Sequence, residues 1–177
     1  MSMWRVSKKL LTAFVAATLC GACLHFVYAM LPDPVTALFA PINESLWEHV
    51  KILFWPYLAA ALLLTRGGEK GCRAPWFLSA IILSAAMLVF GWVYHIAMGG
   101  ESLAVDVGAY VLLMAAGFLL LPGALHKVGE NGLLRDVLGL AVIVLAAALI
   151  LFTFLPPDNI LFVDLAGVNT WATIPYC

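Results

Sequence analysis

The chain alternates long apolar runs with short polar breaks. Five runs reach the roughly 20 residues that cross a hydrocarbon core: 10–31, 45–65, 74–98, 102–121 and 137–155. No alternating strand pattern competes with them, and backbone in lipid must satisfy its own hydrogen bonds, so each run predicts a helix. The first run is interrupted only by His25. The second confines its charges to its first two turns. In the third, His95 is the only ionisable side chain apart from tyrosine. The fourth carries Asp106 and the fifth no charge at all. The pattern predicts an all-α integral membrane protein, one domain over 1–177, built as a bundle of five transmembrane helices.

The breaks add detail. Pro56 has no N–H, so the Ile52 carbonyl loses its usual partner and the second helix should kink there. Pro122 and Gly123 should end the fourth helix. The loops "RGGEKGCR" and "GENG" read as short glycine-rich turns. The connection "LPDPVTALFAPI" is apolar and proline-punctuated, which suits an interfacial segment or one that dips back into the bilayer. The tail 156–177 has no basic residue. It is expected to fold back over the outer face, with Trp171 and Tyr176 in the headgroup layer.

Composition sharpens the class. Apolar residues make up 64% of the chain and charged residues 11%, against roughly half and about a quarter in soluble domains. The basic residues form no patch, which argues against nucleic acid as a partner. Arg5, Lys8, Lys9, Arg66, Lys70, Arg73, Lys127 and Arg135 all fall on one side of the predicted spans. The positive-inside rule then places the N-terminus in the cytoplasm and the C-terminus outside. The basic start, the apolar run and "VYA" (Val27 to Ala29) also resemble a cleavable secretory signal. The run exceeds a usual signal core, so a retained helix is expected. Cys20 and Cys23 form a C-x-x-C inside an apolar run, where packing is a better reading than redox chemistry.

The remaining polar residues agree in depth. At 1.5 Å per residue, His25, His49, His95 and Asp106 each lie roughly 6–9 Å below the outer ends of four different helices. Glu44 and Glu48 lie beside that level. Intramembrane ionisable groups are costly unless paired, hydrated or ligating, and they usually face the bundle interior. The segment "NESLWEH" contains good helix-start chemistry: Asn43 as N-cap, or Ser45 and Glu48 as a capping box. On the helical wheel Glu44, Glu48 and Lys51 share one stripe, and Ser45 and His49 the next. Glu48 and Lys51 can pair at i, i+3. Trp47 points elsewhere, toward the interface.

Three imidazoles and a carboxylate suit zinc or another divalent cation. In that reading His25, His49 and His95 are metal ligands, and Glu48 or Asp106 completes the shell or acts as general base on a bound water, supporting hydrolysis of a lipid or peptide. Two other readings stay open. One is a non-catalytic membrane subunit, in a homo-oligomer or larger complex, whose polar cluster specifies helix packing. The other is a component of a cation- or proton-coupled transporter, since the outer side holds seven acids (Asp33, Glu44, Glu48, Glu101, Asp106, Asp158, Asp164) against Lys51 alone.

The run "PINESLWEHVK", followed by "FWPYL" and later by "YH", resembles a family of small bacterial multi-spanning membrane proteins of unassigned function marked by P-[IV]-N-E-S-x-W-E-H-x-K. The resemblance implies a bacterial inner-membrane protein and singles out Asn43, Glu44, Trp47, Glu48 and His49. It implies no activity.

Overall fold

A computed structural model describes residues 7–167. Residues 1–6 and 168–177, including Arg5, Trp171, Tyr176 and the end of the predicted fold-back tail, lie outside the described residues. All regular structure described is helical. The long elements are α1 (Lys8–Met30), α3 (Leu46–Leu64), α4 (Ala74–Gly91), α5 (Leu103–Ala115) and α7 (Gly132–Phe154); α2 (Pro34–Ala37) and α6 (Leu121–Ala124) are single turns. A π-turn extends α4 through Trp92–Ala97, and another, Ala116–Leu120, joins α5 to α6. Among the described residues, four helical stretches are long and apolar enough to cross a membrane: Lys8–Met30, Ala74–Ala97, Leu103–Ala124 and Gly132–Phe154. These mark a membrane protein whose apolar surfaces suit a lipid bilayer.

The fifth long helix, α3, differs from those four. Its first two turns carry Glu48, His49 and Lys51, and it packs against α1, α4 and α7. Val50, Lys51, Leu53, Phe54, Tyr57 and Ala61 are all fully enclosed. The other helices turn leucine, valine and isoleucine outward, among them Leu19, Val89, Leu112 and Ile143. The most polar helix is thus the one best shielded, the arrangement lipid solvation demands.

Two close approaches set the spacing around α3. A Cβ on Gly21 of α1 would stand 2.1 Å from the Ile52 carbonyl oxygen and 2.2 Å from the Tyr110 hydroxyl. The Ile52 carbonyl is the one that Pro56 deprives of a helical donor. Gly21 lets α1 lie against that exposed carbonyl, the close backbone contact small residues permit in membranes. Tyr110 then donates its hydroxyl to the Thr18 carbonyl (2.9 Å), tying α5 to α1.

Tyr57, Trp76 and Phe118 form a buried aromatic cluster in which Phe118 meets the other two rings edge-on. The Tyr57 hydroxyl donates to the Gly117 carbonyl at 2.9 Å, inside the π-turn after α5. Tyr57→Phe is expected to cost about 0.5–1.5 kcal/mol, the net worth of such a bond. Equilibrium unfolding in detergent measures it; no loss would mean the bond contributes nothing.

Some boundaries differ from expectation. Pro122 does not stop the fourth helix, because it sits in the first turn of α6, where no N–H is required. The last long helix starts at Gly132, capped by Asn131, whose Oδ1 accepts from Leu134 N (3.0 Å). The connection after α1 returns over the bundle. Asp33 caps α2 in a reciprocal box with Thr36, and Ala37 and Ala40 are fully buried. The chain after α7 covers the same end, where Phe162 packs on Trp47 and Phe152.

Candidate functional site

The segment 42–51 folds as a unit. Ser45 is the N-cap of α3, its hydroxyl accepting from Glu48 N (3.3 Å), while Ser45 N donates to Asn43 Oδ1 (3.0 Å). Half of the expected capping box is therefore present. The Glu48 carboxylate does not return to Ser45 N, which Asn43 already serves. Glu48 turns inward instead. Its Oε2 accepts from Ile42 N (3.0 Å) and Lys51 Nζ (2.7 Å), and its Oε1 lies 3.1 Å from the Thr153 hydroxyl, whose single proton is shared with the Leu149 carbonyl at 2.8 Å. Lys51 is wholly buried and also donates to the Ala37 and Ala40 carbonyls at 2.8 and 3.4 Å. The expected Glu48–Lys51 pair thus sits inside the bundle with its hydrogen-bonding groups engaged. Trp47 packs between Phe152 and Phe162.

Glu44 precedes the N-cap and points to a different place. Its Oε2 lies 3.2 Å from His49 Nε2, and its Oε1 lies 3.7 Å from His25 Nε2. Each of the three residues offers one ligand atom, and these atoms lie within 4.8 Å of one another. Tetrahedral zinc with bonds of 2.0–2.1 Å spaces its ligand atoms about 3.3 Å apart. His25 arrives one helical turn beyond Gly21, so the close α1–α3 packing delivers it. Glu44 is 49% exposed, His25 29% and His49 25%. The group is open on one side.

The His49 tautomer follows from its surroundings. Nδ1 lies 2.9 Å from the Ser45 carbonyl, which can only accept, so Nδ1 carries a proton. In the neutral ring, Nε2 is then a lone pair facing the Glu44 carboxylate. Two acceptors at 3.2 Å require a proton or a cation between them. A carbonyl holding Nδ1–H while Nε2 stays free is also how proteins orient histidine ligands. Glu44, outside the long helices, has its carboxyl held below the usual carboxylate range. The hydrogen bond with His49 is the largest cause, burial opposes it, and the His49 and His25 charges reinforce it. This pairing therefore stabilises fully above the unfolded glutamate range and is lost as pH falls through the lowered value. Glu44→Gln should flatten the acid limb of a stability-versus-pH profile below about pH 4.5; an unchanged limb would contradict the pairing.

His95 and Asp106 form a second unit of the same design. Gly99, at φ +68°, reverses the chain after the π-turn that carries His95. His95 Nδ1 lies 2.8 Å from the Gly100 carbonyl, and Nε2 lies 3.0 Å from Asp106 Oδ1. That Oδ1 is buried, and its contact with the ring lacks hydrogen-bond geometry. A Cβ on Gly100 would fall 2.3 Å from the Tyr94 ring, so that ring would have to move. Gly100→Ala is expected to cost about 1–3 kcal/mol and to detach His95 from Asp106. The histidine 15N shifts report that detachment, and an unperturbed His95 would contradict it.

The sequence-predicted residues therefore separate into three sets. His25 and His49 meet each other and Glu44. His95 meets Asp106 and lies outside the three-ligand group. Glu48 and Lys51 face the packed interior with Thr153. A family model described as a family of unknown function (DUF6512) matches residues 1–169. The chain belongs to that family. The match spans all three sets and agrees with the resemblance carried by the motif as far as an uncharacterised family goes. No curated protein matches the chain, and no solved structure does.

Two participants were not singled out from sequence for the parts they play here. The sequence places Glu44 beside the polar level and on the stripe of Glu48 and Lys51, not between two histidines. Its signal is its place just before the N-cap, beside a helix that bears a histidine in its first turn. Thr153 carries a weaker signal, as the one hydroxyl in an otherwise apolar run.

Proposed function

We propose that the protein is one membrane domain with five spans, α3 being the second, set in a bacterial inner membrane with the N-terminus cytoplasmic. In this reading His25, Glu44 and His49 bind zinc or a similar divalent cation near the outer surface. The observation that carries it is the convergence of three ligand atoms within 4.8 Å, with Nδ1 of His49 committed to a carbonyl. Two histidines and one glutamate leave a coordination position for water or substrate, the donor set of hydrolytic zinc. Asp106, with His95, is the nearby carboxylate suited to receive a proton. The function supported best is metal-assisted hydrolysis of a lipid or peptide at the outer leaflet.

The test is product release from native lipid extract and from membrane-derived peptides by Zn2+-loaded protein in proteoliposomes. Chelator-sensitive release that Glu44→Gln abolishes is expected. A metal-bound protein that releases nothing would sink hydrolysis. The acid-rich outer side favours a second reading, a cation-transport component, and Zn2+ flux in the same proteoliposomes separates the two. Residues outside the cation group fit a packing role better, Glu48, Lys51 and Thr153 above all. A homo-oligomer or larger membrane complex is compatible with either reading.

A further inference from the structure

The buried pair beneath the site is connected to Glu44 from both directions. The Glu48 side chain holds Ile42 N, and its backbone N–H holds the Ser45 hydroxyl. Glu44 is therefore in a short segment bracketed at each end by one residue. Ser45 N on Asn43 Oδ1 removes slack within the segment. Lys51 extends the hold upstream through the Ala37 and Ala40 carbonyls, and Thr153 fastens the other Glu48 oxygen to α7. We infer that Glu48 and Lys51 are positioning residues for the cation site, fixing residues 42–45 so that the Glu44 carboxylate meets His49 and His25.

The physical reason is entropy. Glu44 is half exposed, and a glutamate on an unanchored loop has many backbone and rotamer states. Ordering them at the moment of binding would subtract from affinity. If only a fraction of molecules held Glu44 in place, apparent affinity would fall by that fraction. The bracket removes that cost beforehand. Neither Glu48 nor Lys51 needs to touch the cation, and both are enclosed away from the open side of the group. The affinity consequence rests on the cation reading above; the bracketing of the loop does not.

The test uses the full chain in detergent or nanodiscs, with Co2+ as probe because its visible spectrum reports both affinity and ligand geometry. Glu48→Met/Lys51→Met removes both charges together, so no unpaired buried charge blocks folding. Co2+ affinity is measured in four proteins: wild type, Glu44→Gln, the double variant, and all three changes combined. Positioning predicts that the double variant loses about 10–100-fold in affinity, the size expected for a partner behind a ligand. In the Glu44→Gln background the same change should matter by less than about twofold, because the residue acted upon is gone. Equal losses in both backgrounds mean general damage and overturn the inference, as does an unchanged affinity. Hydrogen exchange at the Ile42 and Ser45 amides provides an arm independent of metal: faster exchange in the double variant is expected. If wild type fails to bind Co2+, the cation reading falls, and exchange alone then decides the bracket. Unchanged exchange overturns it.

Discussion

Lys51→Met alone is expected to destabilise the protein by about 3–5 kcal/mol, the cost of leaving one partner of a buried ion pair uncompensated. Lys51 is fully enclosed and donates to Glu48 Oε2 and to two backbone carbonyls. Its removal would leave the Glu48 carboxylate buried without its charged partner, while Ile42 N and the Thr153 hydroxyl remain beside it. Both carbonyls would lose a partner as well. Glu48→Met/Lys51→Met should recover most of that loss, since replacing both charges by apolar groups of similar volume is often close to neutral. Unfolding titrations of the single and double variants read this directly. A single variant within about 1 kcal/mol of wild type, a typical surface-pair value, would mean that the pair is hydrated and not enclosed.

Gly21→Leu is expected to separate α1 from α3. Even the first added carbon would meet the Ile52 carbonyl and the Tyr110 hydroxyl, and the nearer of these is backbone. Overpacking of this kind typically costs about 1–3 kcal/mol, occasionally more. The consequence extends one turn along α1: displacing the helix carries His25 away from Glu44. Stability and cation affinity should therefore fall together. Gly108→Ala on α5 is the control, because a Cβ there meets nothing within 4 Å. It should stay within about 0.5 kcal/mol of wild type. Equal behaviour of the two glycines would show that close α1–α3 packing is not what seats His25.

Four long apolar helices were legible from run length alone, because lipid leaves a chain few alternatives to helix. Rise per residue predicts agreement in depth among His25, His49, His95 and Asp106. Partner choice was not legible. The stripe containing Glu44, Glu48 and Lys51 assumed that the helix already includes Glu44. It begins at Leu46, after the Ser45 cap, so Glu44 has no helical phase and is free to turn toward His49. Glu48, properly on the helix, follows its phase inward to Lys51 and Thr153. His95 was grouped with the other histidines by depth, but depth carries no azimuth, and the Gly99–Gly100 reversal aims it at Asp106. The covering segments 31–45 and 156–167 read as apolar and interfacial. What they cover depends on contacts between residues far apart in the chain, such as Phe162 with Trp47.

His25, Glu44 and His49 are proposed to form a cation site. Elemental analysis of purified protein after equilibrium dialysis against Zn2+ tests it most directly, with wild type beside His49→Ala, Glu44→Gln and His95→Ala. One ion per chain is expected in wild type, and retention is expected in His95→Ala, whose side chain lies outside the three-ligand group. In the other two variants, affinity should fall by more than the roughly 10–100-fold that loss of an outer partner costs. A metal-free wild type, or His49→Ala and Glu44→Gln variants that bind as wild type does, would contradict it.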